Sequence, residues 1–131
     1  MTSFRLGGVL LAAVTLFSTV SAGTATADHR PSSRLSLTVE GPRGASTTVR
    51  LECRPAGGSH PTPRSACREI ARAGGDFESL PGSPEMIACT MEYRPVTASA
   101  RGRWNGERVR WQRQYPNPCT LLSATGVVFD F

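Results

Sequence analysis

Four cysteines constrain the fold of this chain more than any other feature. They are Cys53, Cys67, Cys89 and Cys119. An even number of cysteines in a short exported chain indicates two disulfide bonds, for which three connectivities are possible. A zinc site is the other common use of cysteine, but no pair has C-x-x-C spacing, and His29 and His60 lie far apart in the sequence. We therefore expect two disulfides, and neither a metal ion nor another cofactor.

The first 27 residues have the form of a secretory signal peptide. One cation, Arg5, precedes an apolar stretch over residues 6–20, and residues 25–27 (ATA) match the small-x-small site of a signal peptidase. The apolar stretch is too short for a convincing membrane span. We expect a signal peptide over residues 1–27, with cleavage before Asp28 favoured over cleavage after Ala22. The secreted part, residues 28–131, is long enough for one compact domain and not for two.

The charge of the chain is moderately basic and comes entirely from arginine. All 15 basic residues are Arg, and removing Arg5 with the signal leaves 14 of them against 10 acids, about +4. This excess is small enough to serve solubility alone, and it leaves binding to nucleic acid or to an acidic partner open.

Two alternating segments and one capped segment predict the first half of the fold. Residues 35–39 and 47–53 alternate apolar and polar side chains, which is typical of half-buried strands, and we expect them to pair antiparallel. Residues 54–63 are rich in Pro and Gly and predict a loop. Thr62 then suits a helix N-cap, and the helix is expected from Pro63 to about residue 73.

A hairpin is predicted around Asn105-Gly106, because both positions of a tight two-residue turn tolerate positive φ. In this register one face is expected to be buried, formed by Trp104, Val109, Trp111 and Tyr115. The other face is expected to be exposed, formed by Arg101, Arg103, Arg108 and Arg110. Asn117 predicts the cap of a second short helix that continues to residue 124, and residues 127–131 alternate as a last strand. About five strands and one or two helices without βαβ order indicate an α+β domain with helices packed against an antiparallel sheet.

Two function classes receive little support from these patterns. Catalysis by a nucleophile and a base would need His60, which sits in a loop between Ser59 and Pro61 without a G-x-S-x-G context, so we expect a surface residue and no enzyme. Arginines interleave with Trp104 and Trp111, but period-two alternation places the two residue types on opposite faces. We therefore expect no nucleic-acid partner and no membrane partner.

Residues 89–96 (CTMEYRPV) are the best candidate for a rigid exposed loop. A cysteine anchors one end, Thr90 is β-branched and restricted at χ1, and Pro95 fixes its own φ and biases Arg94 towards an extended conformation. A segment that is held extended at both ends has the shape that a protease cleft accepts.

That segment and four others resemble the subtilisin inhibitor family of streptomycetes. The others are residues 57–63 (GGSHPTP), 73–77 (AGGDF), 102–109 (GRWNGERV) and the ending 128–131 (VFDF). The resemblance covers essentially all of residues 28–131, including the four cysteines and their order.

The resemblance implies a five-stranded antiparallel sheet with two short helices, and a secreted homodimer that inhibits subtilisin-like serine proteases. It also implies disulfides between Cys53 and Cys67 and between Cys89 and Cys119. The scissile bond in that family follows the second residue after the third cysteine, which here places the reactive bond at Met91–Glu92. The implied protease-binding residues are Cys89, Thr90, Met91, Glu92, Tyr93 and Arg94. The segment around Asn117 is expected to support this loop from behind through Cys119.

Two alternatives to an inhibitor remain open from the sequence. One is an exported interaction protein of the same fold that has lost inhibition, and the other is a basic domain that binds nucleic acid or membranes. A buried Met91 would exclude the inhibitor, whereas the basic-domain hypothesis needs Trp104 and Trp111 exposed on the same face as the arginines.

Overall fold

The computed structural model describes Gly23, residues 32–83 and residues 88–131. The predicted signal peptide over residues 1–27 falls, apart from Gly23, outside these residues, and its outcome stays a prediction. No helix of the described residues is long and apolar enough to cross a membrane.

Five strands form one antiparallel sheet. They are β1 (Ser33–Glu40), β2 (Ser46–Cys53), β3 (Gly57–Gly58), β4 (Val96–Trp104) and β5 (Glu107–Tyr115). Their order in the sheet is β3-β2-β1-β4-β5, so β1 lies between β2 and β4, and each neighbouring pair is antiparallel. The predicted five-stranded antiparallel sheet is confirmed.

The pairing of β1 with β2 follows from their alternating side chains. Leu35 lies opposite Leu51 and Leu37 opposite Val49, so their apolar side chains share one buried face. β1 begins two residues before the predicted strand, because Ser33 is buried and its hydroxyl accepts a 2.9 Å hydrogen bond from the backbone N–H of Asn105.

The β4–β5 hairpin has the predicted turn and register. Asn105 (φ 49°) and Gly106 (φ 84°) both adopt positive φ, which this tight turn requires. Trp104 lies opposite Glu107, and Arg101 opposite Arg110. The hairpin therefore turns its tryptophans to the face opposite Arg101, Arg103, Arg108 and Arg110, whereas Arg113, opposite Ala98, lies on the same face as Trp111.

Two helices cover the buried face of the sheet, α1 (Pro63–Arg72) and α2 (Pro118–Thr125). α1 begins at the predicted proline and ends one residue before the predicted end, where Gly74 and Gly75 take positive φ. Short 3-10 turns lie at Pro42–Gly44, Phe77–Ser79 and Gly126–Phe129. The core lies between the sheet and the helices, and its fully buried large side chains include Leu37, Leu51, Ile70, Val128 and Phe129.

A disulfide between Cys53 and Cys67 joins β2 to α1, with 5.7 Å between the two Cα atoms. It pairs the first two cysteines, as the resemblance implied. Closing a loop of about 15 residues stabilises a fold by about 3 kcal/mol in the chain-entropy model. The bond therefore fixes α1 on the sheet in a domain whose core is small.

The prediction of a last strand at residues 127–131 is wrong. α2 ends at Thr125, and Gly126–Phe129 form a 3-10 turn under the sheet. Val128 and Phe129 are both buried, and two consecutive buried side chains do not suit a strand with one wet face. The fifth strand is instead Gly57–Gly58, inside the segment predicted as a loop, where Gly58 pairs with Leu51.

The prediction that His60 is a surface residue is also wrong, because its side chain is buried. Its Nδ1 accepts a 3.1 Å hydrogen bond from the backbone N–H of Thr62, and its Nε2 lies 3.1 Å from the carbonyl oxygen of Val128. The ring also contacts Phe131 edge-on at 5.7 Å between centroids. Burial lowers the pKa of His60 below its ordinary value, although the Val128 carbonyl and Asp130 act in the opposite direction. His60 therefore fastens the C-terminal segment as a neutral side chain.

Candidate functional site

The segment before β4 forms an exposed loop, residues 89–94, which we call the binding loop. Met91 is 98% exposed and Tyr93 is 77% exposed, and these two are the exposed large hydrophobic side chains of the described residues. Apolar side chains of this size are usually at least partly covered in a folded domain. The binding loop therefore exposes two apolar side chains to solvent.

A disulfide anchors the N-terminal end of the binding loop. Cys89 is bonded to Cys119 in the first turn of α2, with 5.6 Å between the two Cα atoms. This is the second of the two disulfides that the resemblance implied. It bridges 30 positions in sequence, so the start of the loop is fixed to a helix that packs on the core.

A backbone hydrogen bond anchors the C-terminal end of the binding loop. The N–H of Arg94 donates to the carbonyl oxygen of Pro116 at 2.8 Å. Two residues later Val96 begins β4 opposite Tyr115, and both side chains are buried. Burial raises the pKa of Tyr115, although Arg113 acts in the opposite direction, so Tyr115 stays neutral at the base of the loop.

The side chain of Asn117 holds the middle of the binding loop. Its Nδ2 donates to the carbonyl oxygen of Thr90 at 3.1 Å and to that of Glu92 at 2.9 Å. These two carbonyls flank Met91 on either side. Asn117 is itself 95% buried, with a relative exposure of 5%, so its amide lies behind the loop and not beside it in water.

The same side chain also begins α2, which explains its fixed orientation. Its Oδ1 accepts hydrogen bonds from the backbone N–H of Thr120 at 2.8 Å and from the Thr120 hydroxyl at 2.9 Å. Because Oδ1 is hydrogen-bonded at the N-terminus of α2, Nδ2 points towards the loop. The N-cap role was predicted from the Asn-Pro sequence, whereas the contact with the loop carbonyls was not.

Residues 90–94 of the binding loop are all exposed. Its own charges are the exposed carboxylate of Glu92 and the exposed guanidinium of Arg94. His60 is buried against the C-terminal segment and does not belong to this site. Within the described residues, no three His, Cys, Asp or Glu side chains cluster as a metal site would require.

The tryptophans do not provide a surface for base stacking beside the arginines. Trp104 is buried, and Trp111 is partly buried against Phe77 and Phe129, with ring centroids 5.5 Å away in both cases. The indole N–H of Trp111 donates to Glu78 at 2.7 Å. The hypothesis of a basic nucleic-acid-binding domain needed both tryptophans exposed on the same face as the arginines. The structure does not meet this requirement.

Comparisons with known proteins agree on one family. Residues 30–117 match the family model described as subtilisin inhibitor-like. The subtilisin inhibitor of Streptomyces violaceus is 36% identical over 131 residues, which cover 91% of this chain and 90% of that protein. Subtilisin inhibitor-like protein 5 of Streptomyces fradiae is 37% identical over 108 residues, which cover 79% of this chain and all of that protein.

A solved structure has the same fold. It is the crystal structure of Streptomyces caespitosus sermetstatin in complex with Bacillus licheniformis subtilisin, with a TM-score of 0.63 and 29% sequence identity. The match covers 76% of this chain and 99% of the other. Taken with the family model and the two relatives, these matches show that the chain belongs to the subtilisin inhibitor-like family.

Proposed function

We propose that this protein is a secreted inhibitor of subtilisin-like serine proteases, not an enzyme, and that it presents Met91–Glu92 as its reactive bond. The observation that carries the proposal is the almost complete exposure of Met91, at 98%, on a loop that is fixed on both sides. Membership of an inhibitor family and the subtilisin complex of the sermetstatin structure support the same activity.

The side chain of Met91 suits the primary specificity pocket of such enzymes. Methionine is unbranched, apolar and adaptable, so it fills a broad hydrophobic pocket. A trypsin pocket instead carries a buried carboxylate that requires a cation. Arg94 does not replace Met91 in this role, because the bond that follows it leads into Pro95. We therefore expect strong inhibition of subtilisin and little inhibition of trypsin.

Tight binding is expected because the loop is ordered before the protease arrives. A flexible peptide loses conformational freedom on binding, and this loss lowers its affinity. Here the disulfide, the Arg94–Pro116 hydrogen bond and the two hydrogen bonds from Asn117 restrict the loop in the free protein. Little ordering remains to be done in the complex.

The same contacts explain why cleavage is not expected to release the inhibitor. Hydrolysis of Met91–Glu92 makes Met91 the new C-terminus and Glu92 the new N-terminus. The carbonyls of Glu92 and of Thr90, the residue before Met91, both accept from Asn117. Cys89 and Arg94 hold the outer parts of the two halves. The new termini stay close together, so resynthesis of the bond competes with dissociation.

Secretion and the homodimer remain predictions beside this function. The alternative, a protein of the same fold without inhibitory activity, is tested by the same experiment. Met91 is exposed, as an inhibitor of this kind requires.

The test is a titration of subtilisin with the oxidised protein, with trypsin in parallel. Stoichiometric loss of subtilisin activity with trypsin spared supports the proposal. Met91→Lys should transfer inhibition to trypsin, whereas Gln112→Lys adds the same charge to an exposed position on β5 and should leave selectivity unchanged. Folded, disulfide-bonded protein that spares subtilisin at micromolar concentration would remove the function and leave the fold standing.

A further inference from the structure

A hollow of about 370 Å³ opens between α1 and the end of β2, and we call it the α1 hollow. Two exposed arginines, Arg54 and Arg64, form part of its wall. Its volume lies at the lower end of the range of small-molecule sites, about 300–1,000 Å³. Most of the remaining wall is apolar and includes the Cys53–Cys67 disulfide, Pro55, Ala71 and Trp104.

The indole N–H of Trp104 is a hydrogen-bond donor that the protein leaves unused. Trp104 is only 7% exposed, and a buried tryptophan usually finds an acceptor for this N–H. In the described part of the chain the indole of Trp111 donates to Glu78, whereas no residue accepts from that of Trp104. No fully buried side-chain nitrogen or oxygen of these residues lacks a partner, so Nε1 of Trp104 must reach the surface. Gly75 leaves this edge of the ring open, since a Cβ there would lie 2.9 Å from Nε1.

The positive charge at the α1 hollow is not neutralised by the protein. The ion pairs among the described residues belong to other arginines, so neither Arg54 nor Arg64 has a carboxylate partner there. Arg64 lies in the first turn of α1, which contains no acidic residue, and the N-cap Thr62 makes no side-chain hydrogen bond. The positive end of the helix dipole therefore adds to the charge of Arg64. This side of the hollow attracts an anion.

We infer that the α1 hollow binds a small aromatic carboxylic acid in its ionised form. Arginine forms forked, charge-assisted hydrogen bonds with a carboxylate, and the N–H of Trp104 supplies a further donor. The aromatic ring of the ligand would cover the apolar wall at Pro55 and Ala71. One ligand would then satisfy the unpaired cations and remove apolar surface from water.

Three other classes of ligand fit the α1 hollow less well. An amine is repelled by Arg54 and Arg64. An inorganic anion such as phosphate pairs with the arginines but leaves the apolar wall in water. A folded partner would need an interface of at least about 1,000 Å² in total, whereas a hollow of about 370 Å³ suits a small molecule.

The ligand would not cover the binding loop. Trp104 lies eight residues along β4 from Val96, where the binding loop joins the strand, and this corresponds to about 26 Å. The protein can therefore hold the acid at one end of the sheet and present Met91 at the other. Ligand binding does not depend on the proposed protease inhibition, so either can fail without the other.

The test follows the indole N–H resonances of the oxidised, ¹⁵N-labelled protein during titration with 3-phenylpropionate. The chain has two tryptophans, and Glu78→Ala assigns their resonances because it removes the acceptor of Trp111 alone. We expect the Trp104 resonance to shift and to saturate with a dissociation constant at or below about 1 mM, while that of Trp111 stays in place. 3-Phenylpropanamide lacks the charge and acetate lacks the ring, so each should bind at least about tenfold more weakly.

Two substitutions on α1 locate the site. Arg64→Gln should raise the dissociation constant about tenfold, because it removes a charged hydrogen-bond donor. The matched control Arg68→Gln makes the same change one turn further along α1, outside the wall of the hollow, and should have less than a twofold effect. Ala71→Leu fills the hollow at an exposed helical position that tolerates leucine, and it should abolish the saturable shift with both arginines in place.

Four outcomes would overturn the proposal. Equal losses in Arg64→Gln and Arg68→Gln would show attraction by net charge alone. Unchanged binding by Ala71→Leu, in protein whose spectrum shows that it is folded, would place the acid elsewhere. A Trp104 resonance that does not shift at millimolar 3-phenylpropionate would exclude the site. Tighter binding of an acetylated tripeptide that ends in phenylalanine would assign the hollow to a peptide end and not to a free acid.

Discussion

Asn117 offers the sharpest test of what keeps the binding loop ordered, because its amide oxygen and its amide nitrogen make separate contacts. The Oδ1 atom caps α2 through Thr120, and the Nδ2 atom holds the carbonyls of Thr90 and Glu92. Asn117→Asp keeps an oxygen at the helix N-terminus, where a carboxylate caps well, and removes both donors. The substitution therefore separates the loop contacts from the cap.

The expected loss of affinity follows from the two hydrogen bonds. A hydrogen bond in a folded protein contributes about 1 kcal/mol net, so the two together restrict the loop by about 2 kcal/mol. A loop that must be ordered on binding weakens the complex by that amount, which corresponds to about 30-fold in the dissociation constant. We expect Asn117→Asp to raise the inhibition constant for subtilisin by about 30-fold, and to speed hydrolysis after Met91.

The assay measures the inhibition constant from the competition between inhibitor and a chromogenic substrate of subtilisin. Mass spectrometry of the inhibitor after incubation with subtilisin measures the rate of hydrolysis after Met91. Thr120→Val is the matched control, because it removes one hydrogen bond to Oδ1 and leaves both loop contacts in place. That variant should inhibit like the original protein. Asn117→Asp protein that is folded, inhibits with unchanged affinity and is cut no faster would refute the idea that this amide orders the loop.

Three further outcomes are expected. Replacing Cys89 and Cys119 together by Ala should turn the inhibitor into a substrate, seen as complete hydrolysis by catalytic subtilisin, and an inhibitor that survives intact would contradict the tether. His60 has a folded pKa below its ordinary value of 6.5, so its stabilising effect is complete above about pH 6.5 and is lost as pH falls towards the folded pKa. His60→Gln should therefore flatten the decrease of unfolding free energy as the pH falls below about 6.5, and an unchanged slope would assign that decrease to other groups. Glu78→Gln keeps an acceptor for the Trp111 indole and loses only an exposed ion pair, so chemical denaturation should show a cost under about 1 kcal/mol, with Glu78→Ala costing more.

Sequence patterns predicted those parts of the fold in which local signals and packing agree. The hairpin register followed from Asn105-Gly106, and the inward side chains of β1 and β2 followed from alternation. The strand prediction for residues 127–131 failed because alternation in five residues does not reveal what surrounds them. Val128 and Phe129 are both covered by the sheet and helices, so their burial comes from tertiary packing and not from a strand period.

The exposed parts of the site were easier to predict than the buried parts that support it. Residues 89–94 stood out through Cys89 and Pro95, which act locally. Local sequence identified Asn117 as a helix cap, and the resemblance implied that its segment supports the loop through Cys119. Its contacts with the carbonyls of Thr90 and Glu92 were not predicted, because they span 27 and 25 residues. His60 was misjudged for the same reason, since its partner Val128 lies 68 residues away. Long-range polar contacts leave no periodicity in a sequence.

The contacts that hold the binding loop use its main chain and one sulfur atom. The scaffold contacts the carbonyls of Thr90 and Glu92, the N–H of Arg94 and the disulfide of Cys89. These groups are the same whatever side chains stand at positions 90–94. Substitutions there can change the target without weakening the frame, so natural selection or a display library can explore many specificities while residues 116–119 stay constant. In such a molecule, the side chains that contact a protease can change without any change in the contacts that hold the loop.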